Sequence, residues 1–218
     1  MEAIEQEAPI AAAARAYRLL EGLVVTLELA PGSVTTEGTL IERVGLGRTP
    51  VREAIQRLAW EGLIEVRPRA GMAIAPLNAD DWLRVLDARD GVEQVLARSA
   101  ALNASAAAAR QFRNAAERME AAARSGDVVA FLEADKALDE VLALAADNPF
   151  AARLAAPLQT HSRRFWFRYQ ADTGLGTAAA HHVGLIKAIL SGDADKAAAR
   201  AARLMALLRR HAEAVAAQ

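Results

Sequence analysis

The chain has 218 residues, 53% of them hydrophobic and 24% charged, with a formal net charge of -1 and no cysteine. That length allows one large domain or two modest ones, each with its own core, and the composition is globular, which excludes a disordered chain. Without cysteine there are no disulfides or thiolate chemistry, and any metal site must use nitrogen and oxygen ligands; near-neutral charge argues against a surface coated in nucleic acid but permits a small local footprint.

Glu2, Glu5 and Glu7 make the start acidic, and no basic-then-apolar run follows, which argues against a secretory signal. No apolar run reaches spanning length, so a cytoplasmic protein with no membrane partner is expected. Tyr17, Leu19, Leu20, Leu23 and Val24 give a first helix from Ile10, ending near Glu28. Ala30-Pro31-Gly32-Ser33 forces a turn, with Thr35 or Thr36 as candidate cap of a short helix carrying Leu40, Ile41 and Val44. Gly45-Leu46-Gly47 breaks it after about two turns.

The next segment, Arg48 to Leu63, is organised around one buried face of Val51, Ile55 and Leu58, with Arg48, Arg52, Gln56 and Arg57 elsewhere around the helix. Thr49 is the expected cap and Pro50 sits where a missing N–H costs nothing, so the helix offers its positive end outward. Two short helices with a glycine-containing turn between them predict a helix-turn-helix. Leu63 to Val66 and Met72 to Ala75 pair as two strands around a basic tip that carries Arg67 and Arg69, a wing able to lie along a phosphate backbone. From Leu40 to Ala70 six arginines face four glutamates, so placement and dimerisation must supply affinity that bulk charge does not.

Beyond Ala75-Pro76-Leu77-Asn78 the pattern is helical to the end, over 80–102, 106–124, 127–146, 150–170, 174–190 and 193–215. The joints are Asn103, Ser125-Gly126-Asp127, Asp147-Asn148-Pro149, Thr173 to Gly176 and Ser191-Gly192-Asp193. The fold class is therefore mainly α: a winged helix-turn-helix domain with a small β-hairpin over 10–76, then an all-α antiparallel bundle over 79–216.

Inside the bundle, Asp135 and Asp139 lie one turn apart beside an apolar stripe, where a carboxylate needs a hydrogen-bond or cationic partner. His182 is in phase with Leu185, Ile186 and Ile189, and His161 with Leu154, Leu158 and Phe165, so three helices offer polar groups that can converge. Of the cluster Arg163, Arg164, Trp166 and Arg168, successive residues cannot share a face, and most of its arginines are expected at the surface or an interface.

The run Val34 to Gly71 resembles the winged helix-turn-helix of the GntR transcription-factor family, through Arg48-Thr49-Pro50-Val51-Arg52-Glu53-Ala54, Arg57-Leu58 and Glu61-Gly62-Leu63, with Leu29-Ala30-Pro31-Gly32 before it and Pro68-Arg69-Ala70-Gly71 at the wing. The resemblance implies contacts from Arg48, Thr49 and Arg52 to double-stranded operator DNA. Gly47 stands where many members have serine or threonine, and Gly38 where some place another arginine.

The second half resembles the FCD effector-binding domain of the FadR-type branch, through Arg89-x-x-x-Glu93, Asp135, Asp147-Asn148-Pro149 and His182-x-x-x-Ile186 with Gly192-Asp193. Six helices are similar to the VanR-type subgroup. The resemblance implies a homodimer, a ligand chamber near Arg89, and a divalent metal held by one aspartate and three histidines. Asp135 and His182 match two of those ligands, whereas Asp139 and Leu204 replace the other two.

Three uses of Asp135, Asp139 and His182 stay open: direct effector binding, an oxygen-rich metal site completed by water or His161, or satisfied core polarity. The expected function is a ligand-responsive repressor that leaves its operator on binding a small carboxylate at Arg89, Asp135, Asp139, His161 and His182. The alternatives are an operator-binding regulator without ligand sensing, and a small metal-dependent hydrolase. No Gly-x-Ser-x-Gly elbow or phosphate-binding glycine loop supports an enzyme, and none is expected.

Overall fold

A computed structural model describes residues 9–67, 71–170 and 174–217. Glu2, Glu5 and Glu7, the wing tip Pro68-Arg69-Ala70, and Thr173 lie outside them. The chain divides into two compact units between Leu77 and Asn78.

The first unit runs α1 (Pro9–Val25), β1 (Val34–Thr35), α2 (Glu37–Val44), α3 (Arg48–Trp60), β2 (Ile64–Arg67) and β3 (Gly71–Ile74). Its core gathers Leu20 and Val24 of α1, Leu40 of α2, and Val51, Ile55 and Leu58 of α3 over Ile64 and Ile74. The helical spacing of the apolar residues is what puts them on the inner face. Thr36 caps α2 by accepting from Thr39 N at 3.2 Å, and Gly45 ends it in the left-handed region at φ 66°.

Three details differ from expectation. Helix α1 stops at Val25, not near Glu28, because Leu27 turns left-handed at φ 60° and Leu29 N returns to Leu23 O. Helix α3 starts at Arg48 with Gly47 as N-cap and no side-chain cap bond, so Thr49 lies in the first turn and does not cap it. The hairpin gains β1, whose Val34 and Thr35 pair with Ala73 and Met72 in the order β1-β3-β2. Two residues are too few for a strand period to register.

The second unit consists, among the described residues, of six helices: α4 (Ala79–Asn103), α5 (Ala106–Ser125), α6 (Val128–Ala145), α7 (Pro149–Tyr169), α8 (Leu175–Leu190) and α9 (Ala194–Ala216). Ser105, Asp127, Asn148 and Asp193 cap four of these helices by accepting from the backbone N–H three residues on. Three of the five joints identified in the sequence are thus capping events; the first is capped by Ser105 in place of Asn103, and α8 begins at Gly174 with no side-chain cap bond. Helix α4 packs on α7 and α9, α5 on α6 and α8, and α8 on α9. Fully buried Trp82 of α4 anchors one part of this core, stacked on Phe165 at 5.8 Å and edge-on to His211 at 5.0 Å.

Candidate functional site

Two sets of polar side chains stand out, one on each unit. On α3, Val51, Ala54, Ile55 and Leu58 are buried, while Arg48, Thr49, Arg52 and Gln56 are exposed and Pro50 is half-buried. Arg52 is held rather than loose. Its Nε and Nη2 donate to Glu37 Oε2 and Oε1 at 3.2 and 2.9 Å, tying the armed face of α3 to the first turn of α2. This paired hydrogen bond holds the Glu37 pKa below its ordinary value, and Arg48 adds to the effect. Arg67 on the wing is similarly paired with Glu65 at 2.8 Å.

Arg57 has a different part. It donates to Glu61 Oε1 at 2.9 Å and its guanidinium lies 3.6 Å from the centre of the Tyr17 ring, while the Tyr17 hydroxyl donates to Glu61 Oε2 at 2.8 Å. Sequence reading missed this three-residue lock between α1 and the end of α3, because 44 residues separate Tyr17 from Glu61.

The second set lies within the bundle, around a cavity of about 30 Å³ lined by Arg89, Phe131, Asp135, Arg163, Trp166 and His182, among others. Helix α4 supplies buried Arg89, whose Nε and Nη2 both donate to Glu93 Oε1, at 3.0 and 2.7 Å; Gln159 of α7 donates to the same oxygen at 3.1 Å. Helix α6 supplies Asp135 and Asp139. Both are met by Arg163 of α7, whose Nη1 donates to Asp139 Oδ2 in a short contact and lies 3.5 Å from Asp135 Oδ2.

His182 of α8 closes the set. Its Nδ1 lies 2.7 Å from the carbonyl of Ala178 and its Nε2 lies 3.0 Å from Asp135 Oδ1. Neither a carbonyl nor an ionised carboxylate can donate, so both ring nitrogens carry protons in this arrangement, which makes an imidazolium. Burial pulls the His182 pKa down, but the hydrogen bond and charge of Asp135 outweigh it and the net shift is upward. Burial likewise raises Asp135, yet His182 and Arg163 hold it at about 2, whereas burial and the Asp135 charge push Asp139 up to about 7.

Asp135 and His182 therefore meet as the sequence suggested, while Asp139 turns to an arginine. His161 is not among the residues that line the cavity; of its stripe, Leu154 is 66% exposed while Phe165 is buried against Trp82. The inner face carries Ser162, Arg163 and Trp166 instead. Arg163 and Arg164 are buried, contrary to the expectation that most of the cluster would face outward, and burial pulls the Arg164 pKa down to about 10. Arg168 is exposed.

The donors do not fit a divalent ion. An imidazole that holds a metal through one ring nitrogen commonly donates the other N–H to a carbonyl, so His182 alone would be acceptable. But no group of three His, Asp or Glu side chains among the described residues could hold a metal. Leu204 is a buried apolar residue of α9, and an ion beside Asp135 would face the charge of Arg163.

Comparison with known proteins matches both units. Residues 84–215 match the FCD domain, and residues 12–74 match the bacterial regulatory proteins of the gntR family. The chain is 44% identical over 80 residues to an uncharacterized HTH-type transcriptional regulator in an unstable DNA locus of Streptomyces ambofaciens, a match that spans 35% of this chain and only 33% of that protein. It is 28% identical over 166 residues to a probable D-xylose utilization operon transcriptional repressor of Paenarthrobacter nicotinovorans, covering 76% of this chain and 73% of that one. In fold it is similar to E. coli McbR/YncC, with a TM-score of 0.76 at 17% identity over 91% of this chain and 97% of the other.

Proposed function

The chain belongs to the gntR family of bacterial regulatory proteins, in the group that carries an FCD domain, and from that premise we propose that it is a repressor which releases its operator when a small carboxylate enters the bundle cavity. Both matched domains are regulatory, and neither is an enzyme domain. The observation that carries the ligand class is the lining: Arg89, Arg163 and His182 face the cavity against a single carboxylate, Asp135. Arg89 uses only Nε and Nη2 on Glu93, which leaves part of its planar fork for a second carboxylate.

At about 30 Å³ the cavity has room for little more than water, whereas ligand pockets usually run to roughly 300 Å³ or more. Entry of an organic acid therefore requires α6, α7 and α8 to part. That movement is the proposed coupling, since a ligand shifts an equilibrium only by binding its states unequally. The repressor sense is supported by the D-xylose operon relative, and the VanR-type assignment by the six helices of the second unit.

DNA contact is assigned to Arg48, Thr49, Pro50, Arg52 and Gln56 at the start of α3, with Arg67 and Arg69 from the wing. A homodimer presents this footprint twice to an operator with two half-sites. Exposed Leu144, Phe150 and Leu154, near the α6–α7 joint, support pairing through the second unit. Among the described residues no helix is long and apolar enough to cross a membrane, and a cytoplasmic location is proposed with the DNA-binding role.

The small cavity also favours a second reading, an operator-binding regulator whose chamber is filled by its own ion pairs. A thermal-shift screen of small organic and sugar acids, followed by operator binding with each hit, separates the two. A hit that raises the melting temperature, loosens operator binding and fails on Arg89→Ala supports the effector. A screen in which no acid binds supports the second reading, and a hit that tightens DNA binding rejects release.

A further inference from the structure

We infer that the Arg163 guanidinium is a built-in cation that takes the place of a divalent metal, so that the junction of α6 and α7 is closed without an ion. Two carboxylates one helical turn apart, both at least 86% buried by side chain, repel each other and lose their hydration. A positive group between them relieves both costs. Arg163 does, with Nη1 against Asp139 and 3.5 Å from Asp135, and its Nη2 is steadied by Thr160 Oγ1 at 3.1 Å.

The substitutions are mutually consistent. An imidazole at position 139 would offer a lone pair to a metal and nothing useful to an arginine, whereas the carboxylate of Asp139 is the better partner for a planar guanidinium. Leu204 contributes no donor from α9. A side chain cannot dissociate as an ion can, so the junction stays closed at any metal concentration. This inference stands apart from the effector reading, because it concerns what holds the carboxylates when no acid is present.

The test is calorimetric titration of the untagged, EDTA-treated full chain with Zn²⁺, in the absence of any organic acid. Wild type is expected to take up no stoichiometric Zn²⁺ and to melt at the same temperature with EDTA as with Zn²⁺. Stoichiometric uptake that is lost in His182→Ala overturns the inference. Arg163→Met is expected to melt lower than wild type, because it leaves Asp135 and Asp139 without their shared cation. A folded Arg163→Met that melts no lower than wild type also overturns it, and if that variant does not fold the wild-type titration decides alone.

Discussion

His182 Nε2 lies 3.0 Å from Asp135 Oδ1, an ion pair that joins α8 to α6 within the bundle. Its two partners shift in opposite directions from their ordinary values of 6.5 and 3.8, His182 upward and Asp135 down to about 2. Each shift ties the stability of the second unit to pH.

A raised histidine contributes fully below its ordinary value and loses that contribution as pH rises through its folded value. A depressed aspartate contributes above its ordinary value and loses it as pH falls toward about 2. Asp139, pushed up to about 7, adds a loss in the same direction as His182, because the folded state holds its proton while the unfolded state has released it. The second unit should thus be most stable just above the ordinary carboxylate range and lose stability as pH rises, first through Asp139 up to about 7 and then through His182 beyond its ordinary value. His182→Gln should remove the part of the decline above the ordinary histidine value and leave the part below about 7, which belongs to Asp139. Thermal melts from about pH 5 to about pH 8 read this, and a melting temperature that climbs steadily across the range would contradict it.

Arg52 is predicted to act in DNA recognition through its pairing with Glu37. Arg52→Ala should weaken operator binding by roughly 1–3 kcal/mol, about 5- to 150-fold, with the fold and oligomeric state unchanged. Glu37→Gln should leave affinity for random DNA the same or slightly higher, since it removes a negative charge, while narrowing the preference for operator because the guanidinium is no longer aimed. Gel-shift or anisotropy titrations at one fixed salt concentration compare the two. Equal operator affinity for wild type and Arg52→Ala would remove this arginine from the interface.

How far the sequence could be read depended on the range of each interaction. Caps and breaks were legible because Thr36, Asp127, Asn148 and Asp193 act within three residues of themselves. The Asp135–His182 meeting was legible because a carboxylate on an apolar stripe must find a partner, and few polar residues face inward. Arg163 was not: it sits among several cationic and aromatic neighbours, and which of them faces α6 depends on the rotation of α7 when packed. His161 was assigned inward by a stripe that runs from exposed Leu154 to buried Phe165, where apolar spacing alone does not say which end is covered. The pairs Arg52–Glu37 and Tyr17–Glu61 join residues 15 and 44 apart, and no local period encodes them.

The Tyr17–Glu61–Arg57 lock should be measurable as stability of the first unit. Tyr17→Phe removes one hydrogen bond to a nearly buried carboxylate and should cost about 1–2 kcal/mol. Glu61→Ala should cost about as much, and the double variant less than the sum, because the two side chains share one interaction. Urea melts followed by far-ultraviolet circular dichroism give the three values. Strict additivity would mean that the hydroxyl and the carboxylate are not coupled. Arg57→Ala should have a small effect on operator binding compared with Arg52→Ala, since its guanidinium is engaged with Tyr17 and Glu61.

Trp82 is the last test, because its ring and its N–H pull in opposite directions. The ring is fully buried between Phe165 and His211, so Trp82→Ala should open a cavity and cost about 3–5 kcal/mol. Its Nε1, however, is buried with no hydrogen-bond partner among the described residues, which is a penalty the native fold carries. Trp82→Phe discards that orphan donor while keeping an aromatic face for Phe165 to stack on. It should therefore cost far less than the alanine change, roughly 1–2 kcal/mol, with the lost ring volume partly offset by the relieved N–H. Chemical denaturation of the two variants alongside wild type measures the difference. A phenylalanine variant as unstable as the alanine one would show that the indole N–H has a partner after all.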